Sequence, residues 1–192
     1  MQAILVCGSR NEHGQTAKAA KAVLEGLAAA GWQWHSYFLP AMKIERCRQC
    51  EDDGWGTCRT EGKCVIQDDL APLVQKIRSA DAAVFATPVY FGDLSESIRA
   101  FLDRLRRTCV RADYRQGIAG KPALAVCVAG GGGGGSLSCA RSLESVLATC
   151  GFDLVDAVPV RRQNLQAKLA VLRQTGAALA ACSQSASGRQ DS

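Results

Sequence analysis

Runs that favour strand alternate with stretches of helical spacing five times along this chain, and few architectures accept that pattern. Ala3-Ile4-Leu5-Val6-Cys7 is continuously apolar, as a strand covered by helices on both faces would be. It ends at Gly8-Ser9, and from Thr16 onward Ala17, Ala20, Leu24 and Leu27 recur at helical spacing until Gly31 stops the run. Trp32 to Leu39 supplies β-favouring residues and closes at Pro40. Residues 40–67 read as an irregular excursion, after which Asp68 or Asp69 is placed to cap a helix carrying Leu70, Leu73, Val74 and Ile77 on one side. Ala82 to Thr87 makes the third strand. Asp93 and Glu96 then read as a capping-box pair opening a helix with Leu94, Ile98, Phe101, Leu102 and Leu105. Ala123 to Ala129 is the fourth strand and runs into Gly130 to Gly135. A helix follows with Leu143, Val146, Leu147 and Cys150 inward and Gly151 at its C′ position. Leu154 to Val160 is the fifth strand and Leu165 to Ala181 the last helix, leaving Ser183 to Ser192 as a polar tail expected to be disordered. Such alternation demands right-handed crossovers, hence a five-stranded parallel sheet with helices on both faces. No repeat or linker divides the chain, and 192 residues suit one core, so residues 1–182 are expected to form a single domain with an insert at about 40–67.

Composition narrows the class. Hydrophobic residues at 47% and charged ones at 21% are ordinary for a globular protein and unlike a disordered one. No apolar run approaches the ~18 residues that span a bilayer, and Met1 to Cys7 has neither a basic n-region nor a cleavage site, so no membrane partner and a cytoplasmic location are expected. The formal charge of +5 is spread over several segments, which argues against a nucleic-acid partner and is equally well explained by a small anionic ligand. Ten cysteines without an export signal imply reduced thiols.

Three unusual segments fall at strand carboxyl ends, where ligands bind in open parallel sheets. The first, Ser9 to Thr16, sets hydroxyls, an amide and a guanidinium before a helix N-terminus, whose free amides and partial positive charge receive a phosphate dianion well. The segment lacks the Gly-Lys-Ser/Thr of a nucleotide-hydrolysing loop and the spaced glycines of a dinucleotide fingerprint, and by itself competes evenly with an ordinary Ser/Thr helix cap. The second, Pro88-Val89-Tyr90-Phe91-Gly92, offers a rigid turn, two aromatic rings for a flat heteroaromatic ligand, and a glycine that lets backbone approach; its plainer use is a buried turn with the rings in the core. The third is the glycine run, read as backbone exposed to a ligand or second substrate rather than as a linker.

Cys47-x2-Cys50-x7-Cys58-x5-Cys64 gathers four thiols, whereas Cys7, Cys109, Cys127, Cys139, Cys150 and Cys182 are scattered and read as core. Four soft thiolates suit a [4Fe-4S] cluster or tetrahedral zinc, and a chain that binds neither remains a third reading. His13 and His35 have no recognisable catalytic partner and read as surface or packing residues. Arg104, Arg106, Arg107, Arg111 and Arg115 read as a solvated helix end or an interface.

Laid end to end, Gly8-Ser9-Arg10 with Gly14-Gln15-Thr16, the paired cysteines followed by Gly62-Lys63-Cys64-Val65-Ile66-Gln67-Asp68-Asp69, and Thr87-Pro88-Val89-Tyr90-Phe91-Gly92 resemble the NAD(P)H-dependent FMN reductase family and especially its iron-sulfur flavoprotein branch. The resemblance implies a flavodoxin-like three-layer sandwich with sheet order 2-1-3-4-5. It implies that Ser9, Arg10, Gln15, Thr16 and Ala17 hold the FMN phosphate, while Pro88, Val89, Tyr90, Phe91, Gly92 and the glycines Gly130, Gly131 and Gly132 flank the isoalloxazine. It implies no catalytic side chain, since the flavin carries the redox chemistry, and it makes Cys47, Cys50, Cys58 and Cys64 the metal ligands. Two departures stand out: Arg10 replaces the family's usual proline, and Glu51 to Thr57 lengthens the gap between the second and third cysteines. The activity implied is hydride or electron transfer from NAD(P)H to flavin, quinone or another small acceptor. The alternatives are a non-enzymatic electron carrier serving a ferredoxin-like protein, and a plain scaffold. A homodimer or homotetramer is implied as well, with Trp55 a candidate for contact with another subunit.

Overall fold

The computed structural model describes residues 1–187. Its elements run β1 (Gln2–Cys7), α1 (Gln15–Ala29), β2 (Gln33–Phe38), α2 (Thr57–Thr60), α3 (Leu70–Ser79), β3 (Ala82–Tyr90), β4 (Asp93–Leu94), α4 (Glu96–Thr108), β5 (Pro122–Ala129), α5 (Ser136–Cys150), β6 (Asp153–Arg161) and α6 (Leu165–Ser187). Five strands are parallel in the order β2-β1-β3-β5-β6, which is the expected flavodoxin-like order, and the two-residue β4 adds antiparallel to β3.

The continuous apolar runs follow from burial on both faces. Ala3, Leu5, Val84, Ala86, Leu124 and Val126 turn toward α1 and α6. Their neighbours Ile4, Val6, Ala83, Phe85, Ala123 and Ala125 turn toward α3, α4 and α5. Successive side chains point to opposite faces of a strand, so a strand between two helical layers must be apolar at every position. Phe85 meets Phe152 edge to face at 5.2 Å and anchors the second of these layers. Among the described residues no helix is long and apolar enough to cross a membrane.

Three expectations change. The Asp93/Glu96 capping box does not form: β3 continues to Tyr90 and turns back, which draws Asp93 and Leu94 into β4 and moves the N-cap of α4 to Ser95. The Asp93 carboxylate pairs instead with the Arg99 guanidinium. The last helix runs on through Ser187, past the predicted end at Ala181, so only residues 188–192 of the predicted tail lie outside the described residues. Cys182 is exposed, while the other five scattered cysteines are buried as predicted. Gly151 ends α5 in the left-handed region, with the Phe152 amide donating to the Leu147 carbonyl.

Candidate functional site

The chain leaves β1 toward β2 on one side of the sheet and reaches β3 on the other, so the strand order reverses beside β1 and opens a crevice at the carboxyl edge. Loop 8–14 follows β1 there. Its start is pinned by α4, for the Ser95 and Ser97 hydroxyls both donate to the Gly8 carbonyl, at 3.1 and 3.0 Å. The Ser9 hydroxyl donates to the Asn11 carbonyl at 3.0 Å, and Asn11 Oδ1 accepts the His13 amide at 2.9 Å, which folds the loop on itself. The Ser/Thr side-chain cap of the plainer reading does not form. Gly14 is the N-cap of α1, no side chain caps the helix, and its first turn carries no acidic residue. The first-turn amides of Gln15, Thr16 and Ala17 have no acceptor within their own helix. Ser9, Thr16 and Ala17 are buried, Gln15 is half-buried, and Arg10 is exposed. At the end of β1, burial pushes the Cys7 thiol up to about 11, so it stands there as a neutral group.

The second segment is a hairpin rather than the loop expected. Pro88, Val89 and Tyr90 belong to β3, with Pro88 opposite Val128 and Tyr90 opposite Asp93. Only Phe91 and Gly92 turn, at φ 51° and 79°, the left-handed pair of a two-residue hairpin. Phenylalanine in that region costs roughly 1–2 kcal/mol. Its ring gains nothing in return from the core, since it is wholly exposed and Tyr90 is half-exposed. Local backbone strain of this kind clusters at functional sites.

The glycine run completes the edge. Gly135, at φ 77°, lies against Gly92 so closely that a Cβ there would overlap the Gly92 Cα. The Ser138 hydroxyl bridges the same two residues, 2.7 Å from the Gly92 carbonyl and 2.9 Å from that of Gly135. Hairpin and glycine run therefore form one backbone surface. Gly130, Gly131 and Gly132 are exposed with open space around their Cα atoms, so packing does not account for glycine at these three positions.

A second region lies in the excursion. Cys47, Cys50, Cys58 and Cys64, each half-buried, line a single cavity, with the side chains of Arg48, Arg104 and Arg107 around it. Gln49 and Glu51, on either side of Cys50, both hold left-handed backbone, at φ 53° and 59°. Trp55 packs within the chain, its ring covered by the Arg107 guanidinium at 4.5 Å and by Arg59 at 5.7 Å. Arg107 also donates to the Gly54 carbonyl at 2.8 Å. Among the described residues no three His, Cys, Asp or Glu side chains converge as they would around one metal ion, and the cavity is only about 20 Å³. The donor set itself, four soft thiols from one glycine-bearing loop, is of the chemical type that a [4Fe-4S] cluster or tetrahedral zinc takes.

Arg104, expected on a solvated helix end, is 1% exposed. Its guanidinium forks onto the Asp68 carboxylate at 2.6 and 3.0 Å, and Nε and a terminal nitrogen lie 3.4 and 3.3 Å from Cys64 Sγ. It also donates to the carbonyls of Glu45 and Ile66. Asp68 meanwhile accepts the amides of Glu45 and Leu70. Burial alone would lower the guanidinium's pKa, but Asp68 and Cys64 outweigh it and the net direction is upward. The Asp68 carboxyl shows the complement: burial raises it, while Arg104 and the two amides carry it below its ordinary value. The sequence held a signal for this pair. Position 104 sits three residues after Phe101 and four before Thr108, both buried, so it falls on the inward stripe of α4.

Comparison with known proteins gives the family and the fold. A family model described as NADPH-dependent FMN reductase matches residues 1–167. An iron-sulfur flavoprotein of Archaeoglobus fulgidus is 30% identical over 105 residues, 55% of this chain and 46% of that protein. One from Methanocaldococcus jannaschii is 29% identical over 131 residues, 68% of this chain and 65% of that protein. The chain thus spans between about half and two thirds of the length of the curated relatives it matches. Among solved structures, RosB with a bound riboflavin-5'-phosphate derivative superposes at a TM-score of 0.75 with 15% identity, covering 100% of this chain and 88% of that one. The NAD(P)H:quinone oxidoreductase from Methanothermobacter marburgensis superposes at 0.67 with 22% identity, covering 93% and 94%. At these identities the likeness establishes the fold.

Proposed function

The chain belongs to the NADPH-dependent FMN reductase family, and from that premise we propose that it binds FMN at the β1/β3/β5 carboxyl edge and passes electrons from NAD(P)H to a small acceptor such as a flavin or quinone. One observation carries the reading: the N-terminus of α1 has no side-chain cap and shares its edge with the strained Phe91 hairpin. The first-turn amides at Gln15, Thr16 and Ala17, with the hydroxyls of Ser9 and Thr16, receive the phosphate, and Arg10 closes over it from the rim. Pro88 to Gly92 and Gly130 to Gly132 flank the ring through backbone and aromatic surface. The flavin supplies the hydride and electron chemistry, and these residues bind, orient and shield it. Fluorescence titration of the FMN-free protein with FMN, followed by steady-state assay with reduced nicotinamide and several acceptors, tests the reading. Saturable binding with turnover is expected; absence of FMN binding would sink it.

A second reading, electron exchange through a [4Fe-4S] cluster with a ferredoxin-like protein, is favoured by four cysteines lining one cavity beside three arginines. Cys47, Cys50, Cys58 and Cys64 would hold the cluster, which supplies one-electron storage. The small cavity requires the thiols to swing outward, and Gly54 and Gly56 give the loop that freedom. The helix α4 joins the two regions, for Ser95 and Ser97 touch the phosphate loop and Arg104 touches Cys64 about 10–14 Å further along the axis. Iron and acid-labile sulfide analysis after anaerobic purification tests this reading; neither element in the protein would end it.

A further inference from the structure

A further cavity, of about 400 Å³, lies along α3 and reaches the end of α4 and the turn that carries Tyr114. Ligand pockets run to about 300–1,000 Å³, so it has room for a small organic molecule. Leu70, Val74 and Arg78 line it at intervals of four residues on one face of α3. The cavity therefore passes from apolar side chains to a cation over about 12 Å of helix. Because α3 ends where β3 begins, the charged end lies toward the amino edge of the sheet, away from the β1/β3/β5 carboxyl edge.

The opposite wall is preformed. The Tyr114 hydroxyl donates to the Thr60 carbonyl, and its ring seats against Gly62, where a Cβ would come within 2.6 Å of a ring carbon. The Arg111 guanidinium stands over the same ring at 5.4 Å and pairs with Asp113 at 3.1 Å, which accounts for one carboxylate at the cavity. Glu61 and Lys63, both exposed, bring one charge of each sign. Arg78 is the charge left over. A terminal nitrogen of its guanidinium donates to the Tyr114 carbonyl at 2.8 Å, while Nε is shut off from solvent with no acceptor. Among the described residues no carboxylate lies within ion-pair distance of Arg78, whereas the enclosed Arg104 is given Asp68. A buried donor left unpaired is costly and rare, and a guanidinium is the side chain best shaped to take a carboxylate.

We propose that this cavity binds a small organic anion with a flat apolar body, an aryl carboxylate by class, its carboxylate on Arg78 and its ring between Tyr114 and the Leu70–Val74 face of α3. A neutral molecule of the same shape would fill the space and leave the cation unanswered, so charge sets the preference. The site is separate from the one proposed for FMN and does not depend on it.

The test is an NMR titration of the isotope-labelled full chain with benzoate and with benzamide, which has the same ring and no charge. Benzoate is expected to bind saturably with a Kd of about 1–10 mM, as suits so small a probe, and to shift the amides around Arg78 and Tyr114. Benzamide, and benzoate on Arg78→Gln, are each expected to bind about tenfold more weakly. Absence of saturable binding, equal affinity for the two probes, or shifts centred on residues 8–17 would overturn the proposal. Benzoate binding at Arg78 in a protein that takes up no FMN would uphold it and sink the flavin reading alone. Should Arg78→Gln not fold, Ala71→Trp, at an exposed position of α3 that lines the cavity, keeps the guanidinium and fills the space. Loss of benzoate binding is expected there, and unchanged binding would overturn the proposal.

Discussion

The two candidate regions are built from opposite materials. The carboxyl edge is made of backbone: uncapped amides on α1, a two-residue turn at Phe91 and Gly92, and a glycine contact at Gly135. The cysteine excursion is made of side chains, with four thiols, a tryptophan between two arginines, and a buried Arg104–Asp68 pair that ties residues 45–68 to α4. Backbone sites depend on conformations that few residue types allow, so one added methyl group damages them. Side-chain sites depend on pairing, so they fail when one partner goes and the other is left charged and buried.

Removing one partner of the pair should therefore have the largest effect. Asp68→Ala strands the Arg104 charge and is expected to cost about 3–5 kcal/mol in urea unfolding. FMN binding should persist wherever the protein remains folded; loss of both together would erase the distinction between the regions. Gly135→Ala comes next. It combines a left-handed position with an overlap against Gly92, and about 2–4 kcal/mol of destabilisation is expected. In this variant FMN affinity should fall while iron content does not. Ser9→Ala removes a hydroxyl from the loop after β1 and should weaken FMN by about 1.5–3 kcal/mol, roughly 10- to 150-fold in Kd, with little change in stability.

The smallest effects sharpen the comparison. Phe91→Gly relieves left-handed strain at a wholly exposed side chain and should raise stability by about 0.5–1 kcal/mol, at the expense of turnover. The pH dependence concerns the excursion. The folded Asp68 carboxyl lies below its ordinary value of 3.8, so its contribution is complete above that value and is lost as pH falls through the folded one. Acid unfolding profiles should show this slope in the wild type below about pH 4. Asp68→Asn should flatten it.

This difference in material also decided what could be read from the chain. The central strands were legible because burial on both faces demands unbroken apolar runs, as at Ala3 to Cys7 and Ala123 to Ala129, whereas the strand order came with the family resemblance. The edge loops were legible because glycine announces backbone. What escaped was contact between distant residues. Nothing near Asp93 reveals that β3 folds back to claim it, so the capping box seemed sound until Tyr90 paired with Asp93. Arg104 was grouped with its exposed neighbours because its identity suggested solvent, although its helical position suggested the core. Identity lost to periodicity there, since a carboxylate 36 residues earlier waited to pair with it.

The helix α4 is held at its start by two serine hydroxyls on the Gly8 carbonyl and touches Cys64 through Arg104. A single residue inserted between Ser97 and Arg104 would turn one end by about 100° against the other and move it by about 1.5 Å. Length drift, the ordinary currency of divergence in loops such as 51–57, is thus closed to this stretch. Chains of this kind that diverge at the excursion are expected to keep the spacing from Ser97 to Arg104 unchanged, and a hybrid that swaps excursions must carry the matching α4 with it.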